Sequence, residues 1–118
     1  MLQILGLAFL IFVADLPWLI LTQPYVSGMV RGIQGGSNVT LRVLPAAIVY
    51  LALAWLATVP RSPTEAFLLG LCTYAVYDFT NLATLVNYDL RFAVADTFWG
   101  GILFTFIWFV SDRLGLRK

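Results

Sequence analysis

The chain has 118 residues, of which 61% are hydrophobic and only 11% are charged, and its formal net charge is +1. Soluble domains carry about a quarter charged residues, so this composition indicates a protein whose apolar surface is covered by lipid. The basic residues form no stripe and histidine is absent, which argues against nucleic-acid binding, imidazole metal sites and serine–histidine–aspartate triads. We expect no cofactor, no metal and no catalytic residue.

Four apolar runs approach the ~20 residues that a helix needs to cross the hydrocarbon core of a bilayer. In chain order they cover residues 2–22, 43–59, 65–86 and 92–112. The sequence therefore predicts a single transmembrane domain over residues 1–118, in an all-α integral membrane protein with four transmembrane helices. The turns at 60–64 and 87–91 are short, and short turns favour antiparallel neighbours, which gives an up-down-up-down bundle.

The connection at residues 23–42 is the long one, and its glycines indicate breaks in the chain. Within it Tyr25, Met29 and Ile33 recur every four residues, which is the spacing of one helix face. This spacing predicts a short helix that lies on the membrane interface.

Basic residues and one sequence triplet bear on orientation. With four spans, both termini share a side that carries Arg61, Arg113, Arg117 and Lys118, and the opposite side carries Arg31, Arg42 and Arg91. Four basic residues on the side of the termini, against three on the opposite side, favour cytoplasmic termini by the positive-inside rule. "NVT" at residues 38–40 matches a glycosylation sequon on the opposite side, a triplet that is common by chance.

Three of the four runs contain an aspartate away from the ends of the run, at Asp15, Asp78 and Asp96. At ~1.5 Å per residue, all three lie roughly 7–12 Å below one interface, because the first and third helices end where the fourth begins. A lone aspartate at mid-bilayer costs on the order of 3 kcal/mol, and no lysine or arginine lies inside any run to neutralise it. We therefore expect the three side chains to turn inward to one polar pocket.

Further polar and aromatic residues accompany these acids. The stretch "YAVYDFTNLATL", residues 74–85, places a polar stripe on one face of the third helix, and a tryptophan follows Asp15 and Asp96 by three residues each. The predicted ligand or ion pocket comprises Asp15, Trp18, Tyr74, Tyr77, Asp78, Asn81, Thr84, Asp96 and Trp99. The alternative is structural: the acids hydrogen-bond neighbouring helices, Asp15 caps the turn ahead of Pro17, or Asp96 lies in headgroup water.

The polar motifs also carry a resemblance. "YDFTNLAT", with Asp96, Trp99 and Gly100 downstream and "ADLPWL" upstream, resembles a family of small four-helix membrane proteins known only as a domain of unknown function. That family's pattern runs Tyr-Asp-Leu-Thr-Asn-Leu-Ala-Thr and then Asp-x-x-Trp-Gly, with Phe79 here in place of the usual leucine. The resemblance covers most of the chain. It implies the four-helix membrane fold and no particular activity.

Two functions of different classes follow from these observations. The first is a multi-pass membrane protein whose acid-lined pocket binds or passes a proton, a small cation or an amine-bearing ligand. The second is a structural or accessory subunit of a larger membrane complex, in which the polar layer locks helix packing. A lipid-modifying enzyme that uses the carboxylates as acid and base ranks last, because no nucleophile accompanies them. The expected partners are the lipid bilayer and either further copies of this chain or a larger membrane complex.

Overall fold

The computed structural model of the chain describes residues 2–37 and 42–116. Within these ranges the chain forms four α-helices and no strand: α1 (Leu2–Ile33), α2 (Val43–Leu56), α3 (Pro63–Thr84) and α4 (Leu90–Leu114). The prediction of an all-α, four-helix fold is confirmed. The sequon at residues 38–40 and the basic tail at 117–118 lie outside the described residues.

α1 is longer than predicted. It continues through Pro17 and Pro24 to Ile33, so the predicted loop at residues 23–42 begins only after a further stretch of helix. The prediction of a separate interfacial helix is wrong, because the helical spacing of Tyr25 and Met29 belongs to the last turns of α1 itself. A proline removes one backbone hydrogen bond from a helix and is tolerated where other contacts hold the helix together.

Those contacts come from the turn between α3 and α4. The side-chain amide of Asn87 donates a hydrogen bond to the Gly32 carbonyl at 3.1 Å, and the N–H of Asp89 donates to the sulfur of Met29 at 3.4 Å. The Tyr25 hydroxyl donates to the Asp89 carboxylate. The end of α1 is thereby held against this turn.

Local sequence sets the ends of α3 and α4. The Ser62 hydroxyl accepts a hydrogen bond from the N–H of Glu65 at 3.2 Å, and Pro63 occupies the first helical position, where no N–H is needed. Asp89 caps α4 by accepting from the N–H of Arg91 at 2.7 Å, and Gly115 ends that helix with a φ of 71°. Each of these helix ends lies two residues from its predicted position.

α1 and α4 are the two described helices that are long and apolar enough to cross a membrane. α2 ends at Leu56, short of the predicted residue 59, and its 14 residues rise only about 21 Å, against a hydrocarbon core of ~30 Å. α3 has 22 residues, but its polar stripe lowers its hydropathy. Membrane crossing by all four helices stays a prediction.

α3 and α4 make the closest helix contact in the described structure. A Cβ added to Gly70 would lie 2.2 Å from the carbonyl oxygen of Gly100, so this approach requires glycine. Phe67 covers Gly101 one turn further along. Because residue numbers rise along one helix as they fall along the other, α4 runs antiparallel to α3.

The apolar core occupies the half of the bundle that contains the beginning of α1. Its buried members include Leu7, Ile11, Ala54, Phe104 and Ile107. The three aspartates lie in the other half of the bundle, after the core residues of α1 and before those of α4. The fold therefore separates an apolar layer from a polar one.

Candidate functional site

The polar layer is built from the three aspartates of α1, α3 and α4. Asp78 has no exposed surface, and Asp15 and Asp96 expose only 5% and 7%. Asp15 and Asp96 line the same cleft, and the carboxyl of Asp78 neighbours that of Asp96. Among the described residues, no group of three or more Cys, Asp or Glu side chains is arranged to hold a metal ion.

Two tryptophans tie α1 to α4 across this layer. Trp18 Nε1 donates a hydrogen bond to Asp96 Oδ1 at 2.8 Å, and Trp99 Nε1 donates to Asp15 Oδ1 at 2.7 Å. The two indole rings stack with centroids 5.3 Å apart and planes 9° apart. Because α1 and α4 are antiparallel, the Asp-x-x-Trp motif of each helix supplies a donor and an acceptor to the same motif of the other.

Two tyrosines supply further donors that sequence reasoning missed. The Tyr50 hydroxyl of α2 donates to Asp15 Oδ2 at 2.7 Å, and the Tyr88 hydroxyl donates to Asp78 Oδ1 at 2.7 Å. Tyr50 carries the only hydroxyl in α2, and a single polar group in an apolar helix could have marked it as a candidate from the sequence. Tyr88 lies in the α3–α4 turn, and only the tertiary fold returns its side chain to α3.

Asp78 is the least satisfied of the three acids. Its Oδ2 atom is buried and has no hydrogen-bond donor among the described residues. The neighbouring group on this side is the carboxyl of Asp96. Two ionised carboxylates offer each other only acceptors, so this contact is favourable only with a proton between them.

A cleft of about 410 Å³ opens beside Asp15 and Asp96. All four helices and the α3–α4 turn contribute to it, and most of its lining is apolar, as at Leu19, Val49 and Phe92. None of the described residues that line it is basic. The two carboxyl groups therefore form the acidic part of a mostly apolar cavity.

Of the other predicted residues, Trp18, Tyr74 and Tyr77 line this cleft. Tyr77 stands at its edge, with 61% of its surface exposed. Trp99 stacks on Trp18 but does not line this cleft. It lines a second, smaller apolar cavity together with Pro17.

Asn81 and Thr84 lie apart from the cleft lining. The side chain of Asn81 lies beside the hydroxyls of Tyr77 and Tyr88, so it supports groups that line the cleft. Thr84 is exposed, and its hydroxyl donates to the Thr80 carbonyl of its own helix at 2.8 Å. It does not line the cleft, because α3 ends at this residue, beyond the layer of acids.

A second polar cluster lies at the α3–α4 turn, outside the apolar runs. The hydrogen bond from Tyr25 lowers the pKa of the Asp89 carboxyl, and the N–H of Arg91 lowers it further. The Arg91 guanidinium lies 3.7 Å from Asp89 Oδ2. Asp89 is thus held as an anion that caps α4 and contacts α1.

The model of a family described as "Predicted membrane protein (DUF2177)" matches residues 1–111. The chain belongs to the DUF2177 family. This confirms the resemblance to a membrane-protein family of unknown function, and it agrees with the apolar lengths of α1 and α4. No curated protein and no solved structure matches the chain.

Proposed function

We propose that this DUF2177 protein is a multi-pass membrane protein that binds a small cationic amphiphile, an amine with an apolar body, in the cleft beside Asp15 and Asp96. In this proposal all four helices lie in the bilayer and the termini are cytoplasmic. The observation that carries the proposal is that two buried carboxyl groups share a mostly apolar cleft that has no basic residue in its described lining.

The charge of the cleft favours a cation. Burying a carboxylate is costly unless an opposite charge accompanies it. Trp18, Trp99 and Tyr50 supply hydrogen bonds to Asp15 and Asp96, but they supply no positive charge. An ammonium group of a ligand would supply it in the acidic part of the cleft.

The shape and lining of the cleft favour an apolar body on that cation. Its volume of about 410 Å³ is within the ~300–1,000 Å³ typical of small-molecule sites, which combine apolar walls with a few polar groups. A hydrated ion that crosses the membrane needs polar groups or water along its path. The apolar lining therefore supports ligand binding more than ion passage through a single chain.

The pair 1-adamantanamine and 1-adamantanol tests this proposal, because the two compounds share one apolar body and differ in charge. Trp18 lines the cleft, so tryptophan fluorescence of the purified protein in lipid nanodiscs reports occupancy. We expect a saturable response to the amine, and a much weaker response to the alcohol. Asp96→Asn is expected to abolish the response to the amine.

Glu65→Gln is the matched control, because Glu65 is an exposed acid that pairs with Arg61 far from the cleft. We expect this variant to bind the amine as the wild type does. Equal responses to amine and alcohol, or an undiminished response in Asp96→Asn, would contradict the proposal.

The alternative is an accessory subunit of a larger membrane complex, and one observation favours it. The hydrogen bonds to Asp15 and Asp96 all bridge different helices, as expected of groups that lock packing. This alternative predicts no response to the amine and recovery of a partner in near-stoichiometric amount after mild solubilisation.

A further inference from the structure

The binding proposal leaves one acid of the polar layer unexplained. Asp78 is fully buried, yet the cleft is lined by Asp15 and Asp96 and not by Asp78. Its Oδ1 accepts a hydrogen bond from Tyr88, and its Oδ2 has no donor among the described residues. A buried carboxyl oxygen without a donor is costly, so this atom requires an explanation.

The neighbour of this carboxyl is the carboxyl of Asp96. Two ionised carboxylates at this range would repel and would leave Asp78 Oδ2 unsatisfied. If the pair holds one proton, one carboxyl becomes a donor and the other an acceptor, and the contact becomes a strong hydrogen bond.

Among the described residues, the surroundings of the pair offer no positive charge to stabilise two anions. The ionisable groups that face it are Asp15 from α1, Tyr74 and Tyr77 from α3, and Tyr88 from the α3–α4 turn, while Tyr50 from α2 reaches Asp15. None of these is basic, and Asp15 adds a further acid. A tyrosine hydroxyl keeps its proton near neutral pH, so the carboxyl pair is where a proton is readily exchanged.

We propose that Asp78 and Asp96 hold one proton between their carboxyl groups, and that a cationic ligand bound in the cleft expels this proton to water. This inference rests on the proposed function and adds regulation by pH to it. Asp96 contributes to both the cleft and the pair, whereas Asp78 contributes only to the pair. An ammonium beside the pair favours a second negative charge on it and so competes with the shared proton.

The exchange balances in atoms and charge. The shared carboxyl O–H bond breaks, its electron pair stays on the carboxylate, and the proton leaves for solvent. The ammonium keeps its own proton and remains a cation, so one positive charge enters as one leaves. By linkage, protons must in turn weaken ligand binding, by up to about tenfold per pH unit where the pair titrates.

Proton release is measured with a pH-indicator dye while 1-adamantanamine is added to the protein in weakly buffered nanodiscs, with binding followed by tryptophan fluorescence. We expect the wild type and Glu65→Gln to release close to one proton per bound amine. Asp78→Asn replaces the shared proton by an amide N–H that still donates to Asp96. We expect this variant to bind the amine and to release no proton.

Infrared spectroscopy of the ligand-free protein tests the pair without any ligand. At neutral pH the wild type should show a protonated-carboxyl carbonyl band that shifts in D₂O and is missing from Asp78→Asn. Absence of that band from the wild type, or amine binding without proton release, would overturn the inference. If the amine does not bind at all, the proposed function fails, and the infrared band still decides whether the pair holds its proton.

Discussion

Trp18 and Trp99 stack at 5.3 Å, and each donates its indole N–H to the aspartate that precedes the other tryptophan by three residues. One ring contact and two hydrogen bonds therefore join α1 to α4 at the level of the polar layer. Neither helix could satisfy its own aspartate in this way, because both N–H groups point across to the neighbouring helix. The arrangement is consistent with a site that is held rigid on one side of the cleft.

Trp18→Phe is expected to lower stability by about 1–3 kcal/mol, because it keeps an aromatic ring but removes the donor to a buried Asp96 oxygen. Unfolding of the protein in micelles, followed by circular dichroism, measures the change. Trp55→Phe serves as the control, since Trp55 is exposed on α2. Similar losses in both variants would show that the indole N–H of Trp18 contributes nothing specific.

Gly70→Ala is expected to destabilise the protein by about 1–3 kcal/mol or more, because the new methyl group would lie 2.2 Å from the Gly100 carbonyl oxygen. Gly28→Ala is the matched control. Gly28 is also helical and has no atom within 4 Å of an added Cβ, so alanine should be neutral or stabilise by up to about 1 kcal/mol. Thermal unfolding of the two variants side by side tests the difference, and equal effects would argue against the close α3–α4 approach.

Asn81→Leu is expected to cost about 1 kcal/mol or more, because the amide lies beside the Tyr77 and Tyr88 hydroxyls and leucine offers them no polar group. Thr84→Val is expected to change stability by less than about 0.5 kcal/mol, since Thr84 is exposed and bonds only its own helix. Denaturant titration of both variants distinguishes the two residues of one predicted stripe. A larger loss for Thr84→Val than for Asn81→Leu would restore Thr84 to the site.

Stability in acid is expected to depend on Asp89. Its pKa is lowered below 3.8 in the folded protein, chiefly by the hydrogen bond from Tyr25. The ionised group therefore contributes stability above 3.8, and this contribution is lost as the pH falls through the lower folded value. The difference in melting temperature between wild type and Asp89→Asn should shrink over that range.

Tyr25→Phe removes the main cause of this shift, and its melting temperature should approach that of the wild type over the same acidic range. Melting curves at neutral pH and at several values below 3.8 provide the comparison. A difference between wild type and Asp89→Asn that stays constant with pH would exclude a role for the ionised carboxylate.

The sequence was sufficient to predict four helices and the residues most central to the polar layer. Apolar runs of helical length give the helices, and the cost of an acid in lipid turns Asp15, Asp78 and Asp96 inward. The length of α1 could not be predicted in this way. Pro24 is a normal signal for a helix end, and the contacts that keep the helix going come from the distant residues Asn87 and Asp89.

The donors of the polar layer were harder to predict than its acceptors. An acid in an apolar run is conspicuous, whereas Tyr50 and Tyr88 resemble the many aromatic residues of membrane helices and turns. Thr84 is the reverse case, a residue that was predicted but does not line the cleft. Helical spacing placed it on the polar face, but spacing does not state where along the helix the layer of acids ends.

The glycine contact between α3 and α4 has a consequence for the order of assembly. These helices are neighbours in the chain, and their turn is short, so their contacts close a small loop at low entropic cost. The Trp18–Asp96 and Asp15–Trp99 bonds join residues 78 and 84 positions apart. The hairpin of α3 and α4 should therefore form first, with α1 docking onto it later. A disruptive substitution at Gly100 would then stop assembly before the polar layer forms. A disruptive substitution at Trp18 would leave a folded α3–α4 hairpin onto which α1 has not docked.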